Sequence, residues 1–190
     1  MKKFLAILIV SVFAVVVSGS VAMAKDLTGK IGLGFNGQLS VGGWNGTDIT
    51  SYDLPAISVK YGIDNKMGIE GFLGYASFEQ ETGGVPDAEV SYTILGGKFF
   101  YNVIMEKNAN FYIGGGLALL TGEMGNADVS GTGLMGYAGT EFFFTDLPNL
   151  GFLFEIGLGI SKMSIDPDTD INSTGFYGGL FHQIGIHYYF

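Results

Sequence analysis

Residues 25–190 break into segments of about ten residues in which apolar and polar positions alternate one by one, and this period of two constrains the fold more than any other feature of the chain. Ile31, Leu33 and Phe35 alternate with Lys30, Gly32, Gly34 and Asn36. Further on, Phe152, Phe154, Ile156, Leu158 and Ile160 alternate with Leu153, Glu155, Gly157 and Gly159. A helix repeats its apolar face about every 3.6 residues, so it cannot carry this pattern on one side. Mean hydropathy is +0.36 despite 18 acidic residues, yet after residue 24 no apolar run approaches the roughly 20 residues of a spanning helix. A chain of this kind can enter hydrocarbon only as strands. Every backbone N–H and C=O must then be paired, which demands a closed sheet.

Upward strands are expected near 29–40, 67–78, 110–121 and 151–163, and downward ones near 54–63, 90–103, 132–144 and 175–190. The expected fold is therefore all-β, an eight-stranded antiparallel up-and-down transmembrane β-barrel. Segment 110–121 shows no clear parity. In the last strand Leu180, Ile184, Ile186, Tyr188 and Phe190 share one face, interrupted by His182, and Phe181, Gln183, Gly185, His187 and Tyr189 share the other.

The chain opens with Lys2 and Lys3, an apolar run of 14 residues from Phe4 to Val17, and small residues ending in Ala22-Met23-Ala24. That order reads as a signal peptide over residues 1–24, cleaved after Ala24, and the run is too short for an anchor. It leaves a single domain, residues 25–190. Cysteine is absent although the exported compartment would permit disulfides, so packing and hydrogen bonds must hold the fold. Every basic residue is Lys, two of the nine lie in the leader and all 18 acids follow it, which excludes a nucleic-acid partner.

The connections alternate in length. Asp64–Lys66, Glu106–Asn110 and Asp146–Asn149 are short, whereas Val41–Asp53, Glu79–Glu89, Gly122–Gly131 and Ile165–Thr174 are longer. Outer-membrane barrels show this asymmetry, with short periplasmic turns and longer outer loops, and it places both termini in the periplasm. Tyr61, Tyr101, Phe142, Phe144 and Tyr188-Tyr189-Phe190 fall near strand ends, where aromatic rings suit a bilayer boundary.

With these features the sequence resembles the eight-stranded outer-membrane barrels of the OmpA and OmpX type over residues 25–190. The most specific element is the terminal Phe190 with Tyr188, Ile186 and Ile184, similar to the C-terminal signal that the barrel-assembly machinery reads in that family. The resemblance implies a monomer in the outer membrane of a Gram-negative-type bacterium, in contact with outer-membrane lipid and lipopolysaccharide. Two departures stand out. The chain has no Arg for interior pairing, and nothing follows Phe190, so the peptidoglycan-binding domain of some relatives is not expected.

By strand parity Lys30, Lys60, Glu70, Lys98, Glu141, Glu155 and His187 point inward, close to the periplasmic strand ends, as one charged belt. An eight-stranded barrel has a lumen about filled by its own side chains, so opposite charges confined there should pair into a plug. The alternative is a narrow channel or small-solute conduit, because rings of charge also line selective pores. The expected outer loops hold Asp48, Asp53, Glu79, Glu81, Asp87, Glu89, Glu123, Asp128, Asp166, Asp168 and Asp170 and no Lys. Such a rim can attract divalent cations, although an ordinary solvated surface looks the same. Asp166, Asp168, Asp170 and Asn172 alternate like the start of a calcium loop but lack its later Gly and Glu, so no metal site is assigned. Lys162 falls at the outer lipid boundary, where its ammonium can reach headgroup phosphates.

A lipid A-modifying barrel enzyme is a third reading, with His182 and Ser130 or Ser173 as the available chemistry. The His-x-Ser arrangement of lipid A deacylases is missing, so no catalytic residue and no cofactor is assigned and the chain is read as not an enzyme. Gly42-Gly43-Trp44 suggests a lipocalin, a rival barrel with an apolar lumen and a polar exterior. That reading leaves the terminal Phe unexplained. The role expected is structural or surface-interactive.

Overall fold

The computed structural model describes residues 25–41, 44–45, 48–49, 52–80, 88–165, 169–178 and 184–190. The expected leader lies outside the described residues, as do Gly42, Gly43, Asp166, Asp168 and His182.

Seven strands run up and down in sequence: β1 Ile31–Val41, β2 Tyr52–Gly62, β3 Met67–Gln80, β4 Ala88–Glu106, β5 Ala109–Met124, β6 Ala127–Phe144 and β7 Leu147–Ile165. The eighth place in the ring is shared by β8, Thr169–Gly178, and β9, Ile184–Tyr189, both antiparallel to β7. β9 also pairs with β1, from Gly32↔Tyr189 to Asn36↔Gly185, and this closes the sheet into an eight-stranded antiparallel barrel. Lys25 and Phe190 lie at the same end of it, called here the near end. There the connections are Ile63–Lys66, Lys107–Asn108 and Thr145–Asp146. The Asp64 carboxylate accepts from the N–H groups of Lys66 and Met67, both at 2.7 Å, and so holds the first turn.

Within the wall the expected parity is carried through. Leu33, Leu73, Leu95, Leu117, Leu134, Leu158 and Ile160 lie exposed on the outside, and Lys60, Glu70, Lys98, Glu141, Glu155 and His187 lie inside. A continuous apolar exterior of this kind belongs against hydrocarbon, and it is the reverse of what a lipocalin requires. The parity of β5 was hidden because Gly114, Gly115 and Gly116 carry no side chain and Leu117 to Leu120 fill both faces. In the barrel Tyr112 and Ala118 are buried and Leu117 and Leu119 are exposed.

The far end departs from expectation. Residues 122–131, expected as a loop, continue β5 and β6 to a two-residue turn at Gly125-Asn126, where Gly125 has φ +64°. Residues 169–174, also expected in a loop, lie in β8. β4 and β7 have 19 residues each and β6 has 18, against the roughly 9–11 that span a bilayer. The strands therefore overhang the apolar band. Along the overhang the polarity of the faces inverts while the parity stays the same. Thr121, Glu123, Asp128, Ser130, Thr132 and Lys162 face out, and Val90, Tyr92 and Val129 are buried inside, with Leu120, Met163 and Ile165 packed against them. A polar exterior over an apolar interior is the arrangement of a sheet in water. Read as lipid-facing positions, these hydroxyls and acids look like loop.

Candidate functional site

The belt is assembled from six of the seven residues that parity pointed inward. Lys60 comes from β2, Glu70 from β3, Lys98 from β4, Glu141 from β6, Glu155 from β7 and His187 from β9, and each is buried. Register brings the first three side by side, because Lys60 lies opposite Glu70 and Glu70 opposite Lys98. Lys30 does not join them. It is exposed, and its N–H donates to the Leu27 carbonyl at 2.9 Å in a turn that contains Gly29 at φ +70°. The turn breaks the alternation before residue 31, so parity extrapolated back to residue 30 has no strand to act on.

Two short ion pairs anchor the belt. Lys60 Nζ lies 2.8 Å from Glu141 Oε2 and Lys98 Nζ lies 2.7 Å from Glu155 Oε2. Each ammonium also rests against aromatic faces: Lys60 lies 4.5 Å from the ring centre of Phe100 and 4.9 Å from that of Tyr112, and Lys98 lies over Phe72 and Tyr137. Hydroxyl and amide donors take up the remaining carboxylate oxygens. Tyr112 donates to Glu155 Oε1 at 2.9 Å, Tyr189 donates to Glu141 Oε1 at 2.6 Å, and the Asn36 amide donates to Glu70 Oε1. Among the described residues Glu70 has no short ion pair. Its nearest basic neighbours are Lys98 Nζ at 3.9 Å and His187 Nε2 at 3.8 Å.

The belt also lies deeper than expected, because β4 runs on to Glu106 and β7 begins at Leu147. Beneath it the near mouth is floored by the segment before β1. Leu27 is buried against Phe143 and Tyr189. Lys25 N–H donates to the Glu106 carbonyl at 3.3 Å, its own carbonyl accepts from the Asn110 amide at 3.2 Å, and its ammonium lies 5.4 Å from the centre of the Phe143 ring. Above the belt Phe72, Ile94, Met135 and Tyr137 continue the fill into the apolar overhang. Several inward glycines make room for it: a Cβ at Gly139 would stand 2.6 Å from the Tyr112 ring, and one at Gly68 would stand 2.1 Å from Phe100.

Asn36, Ser58, Tyr112 and Tyr189 were not assigned to the site from sequence. All four share the inward parity of the charged residues, and that parity was the signal available for finding them. Ser58 Oγ and His187 Nε2 are 2.7 Å apart and Glu141 Oε1 lies 3.9 Å from His187 Nδ1. A serine, an imidazole and an acid thus meet, but Ser58 is 3% exposed and the imidazole fully buried, so the trio faces no surface from which a substrate could approach. Ser130 lies exposed on β6 and Ser173 lies in β8 opposite Ser161.

At the far end Lys162 pairs with Asp170 at 3.1 Å, both side chains 57% exposed, and the Ser164 hydroxyl donates to Asp170 at 2.6 Å. That hydroxyl, followed by the Lys162 ammonium, holds the Asp170 carboxyl below the usual carboxylate range. Asp170 is thereby engaged across two strands and is not disposed as a ligand of a calcium loop. Among the described residues no group of three or more His, Cys, Asp and Glu side chains is placed to hold a metal ion. Ile184, Tyr188 and Phe190 of the expected assembly signal lie exposed on the outer face at the near end, with the Tyr188 and Phe190 rings 5.0 Å apart, and Ile186 is half-buried.

No curated protein matches the chain. Among solved structures it is similar to Ail, the attachment invasion locus protein of Yersinia pestis, at 18% identity over 85% of this chain and 95% of that one, with a TM-score of 0.40. The family model for the outer membrane protein beta-barrel domain matches residues 9–190, and the chain belongs to that family of integral outer-membrane barrels.

Proposed function

We propose that this protein is a closed, monomeric barrel with a structural or surface-interaction role, its lumen plugged by the Lys/Glu belt. The observation that carries the reading is the belt itself. Two lysines and three glutamates cross the lumen with side chains no more than 2% exposed, tied by contacts of 2.7 and 2.8 Å. Apolar layers lie on both sides of it. Ions would have to break charge-assisted hydrogen bonds and then cross a dry hydrophobic section. In this reading the near end with both termini is periplasmic, and the overhang stands in the headgroup region among lipid and lipopolysaccharide. Divalent cations can gather at its acids. Ile184, Ile186, Tyr188 and Phe190 form the strip presented to the barrel-assembly machinery.

Planar-bilayer recording of the refolded protein tests the plug. Silent membranes are expected. Stable conductance steps that change in Lys98→Met would overturn it in favour of the channel.

A further inference from the structure

On the outer face of the overhang, register lines up one polar side chain from each of six strands. Tyr75 of β3 lies opposite Thr93 of β4, Thr93 opposite Thr121 of β5, and Thr121 opposite Ser130 of β6. Ser130 lies opposite Ser164 of β7, and Ser164 opposite Asp170 of β8. Residues opposed in this way share a face of the sheet. Neighbouring strands are about 4.8 Å apart, so the row offers a hydroxyl or carboxylate at that interval over about 24 Å of wall. Tyr75, 63% exposed, gives one end of it an open aromatic face.

One step further out on the same face, Ser91 lies opposite Glu123 and Glu123 opposite Asp128. Two carboxylates set directly opposite each other destabilise a sheet, and donors arriving from outside the chain relieve them. A shallow groove of about 390 Å³ runs here, lined by Ser91, Thr93, Thr121, Glu123 and Asp128 among others.

Height along the wall decides what lies against the row. One step toward the near end, Leu73, Leu95 and Leu119 stand opposite one another and are the last exposed leucines of β3, β4 and β5. Two residues of strand are about 7 Å, or about 5 Å in height at the usual barrel tilt. The headgroup layer of one leaflet is about 5–8 Å deep, so the row meets headgroups and not acyl chains. Charge decides which part of a headgroup it takes. Glu123, Asp128 and Asp170 repel phosphate, and Lys162, the cation of this face among the described residues, is held by Asp170 at 3.1 Å. An uncharged ring bearing several hydroxyls fits instead. Ser and Thr hydroxyls both donate and accept, carboxylates accept charge-assisted bonds, and the Tyr75 ring can cover the apolar side of a sugar.

We propose that this row and its groove form a saccharide-binding surface, occupied by the sugar of lipopolysaccharide in the surrounding leaflet. It recognises hydroxyls, without a metal bridge and without a phosphate contact.

The inference rests on the reading that the overhang is the outer end, which Asn126→Cys in the β5–β6 turn tests separately. Labelling of that cysteine on intact cells is expected, and labelling only after the cells are broken would overturn both. Binding is read by native mass spectrometry of the refolded barrel released from phosphatidylcholine vesicles with chelator present. The vesicles carry lipopolysaccharide, an uncharged diglycosyl diacylglycerol or phosphatidic acid. Both glycolipids should be retained about tenfold over phosphatidic acid, a comparison that needs no variant. Thr121→Val with Ser130→Ala should lower glycolipid retention about tenfold, since each hydrogen bond lost is worth a factor of a few, whereas Lys162→Met should leave it unchanged. Preference for phosphatidic acid, or lipopolysaccharide retained only without chelator, would refute the proposal in favour of phosphate or cation bridging. Equal retention by wild type and the double variant would refute it too, and no retained glycolipid would hand the face to a partner from solution. Each of these leaves the outer placement of the overhang intact.

Discussion

Removing the Lys98 charge tests the belt most directly. Lys98 Nζ lies 2.7 Å from Glu155 and 3.9 Å from Glu70, with no exposed side-chain surface. At an effective dielectric near 20 those separations correspond to gross attractions of about 6 and about 4 kcal/mol. Desolvation of the ammonium offsets much of this. What remains after Lys98→Met is two carboxylates without their nearest ammonium group, and breaking a buried pair in this way costs about 3–5 kcal/mol. Methionine fills nearly the same length between the Phe72 and Tyr137 rings, so packing changes little. Urea titration of the refolded barrel, read by the heat-dependent mobility shift, should show a loss of that size. Glu155→Gln added to Lys98→Met should recover part of it, with a coupling of about 2 kcal/mol between the two sites. A loss below about 1 kcal/mol with additive double-mutant energies would mean that water screens the pair, and the dry-plug argument would fail.

Gly139→Ala should cost about 1–3 kcal/mol, because its Cβ would meet the Tyr112 ring at 2.6 Å and push the hydroxyl off Glu155, whereas Gly136→Ala opens onto empty space and should be neutral by the same titration. Leu27→Ala should cost about 2 kcal/mol at the low end of core truncations and expose the near mouth, as read by labelling of a cysteine placed at Phe143. Carboxyl NMR should place the Asp170 midpoint below the usual range, with Ser164→Ala raising it more than Lys162→Met. The stability this group carries is present at neutral pH and lost as pH falls through its own lowered value.

Period-two alternation, inward Lys and Glu on separate strands and the terminal aromatic strip were legible because each depends on local spacing. Lys60, Glu70, Lys98, Glu141, Glu155 and His187 could be placed inside by parity alone, since a side chain on a strand has only two faces to choose from. Lys30 does not follow the parity because parity says nothing about where a strand begins, and the turn at Gly29 delays the start of β1 to Ile31. The overhang was misread because the rule linking polarity to face reverses once the strand leaves hydrocarbon. Residues such as Thr121, Glu123 and Asp128 then mark a water-facing strand and not a loop.

The sequence by itself determined that the chain must be a closed sheet with an apolar exterior, because its pattern and its lack of a spanning helix leave no other way to satisfy the backbone in lipid. Only the tertiary structure decided which charges meet. Register around the closed ring sets Lys60 on Glu141, Lys98 on Glu155 and leaves Glu70 with His187. Those partners are separated by 57 to 117 residues along the chain, and no local spacing records a distance that closure of the ring creates.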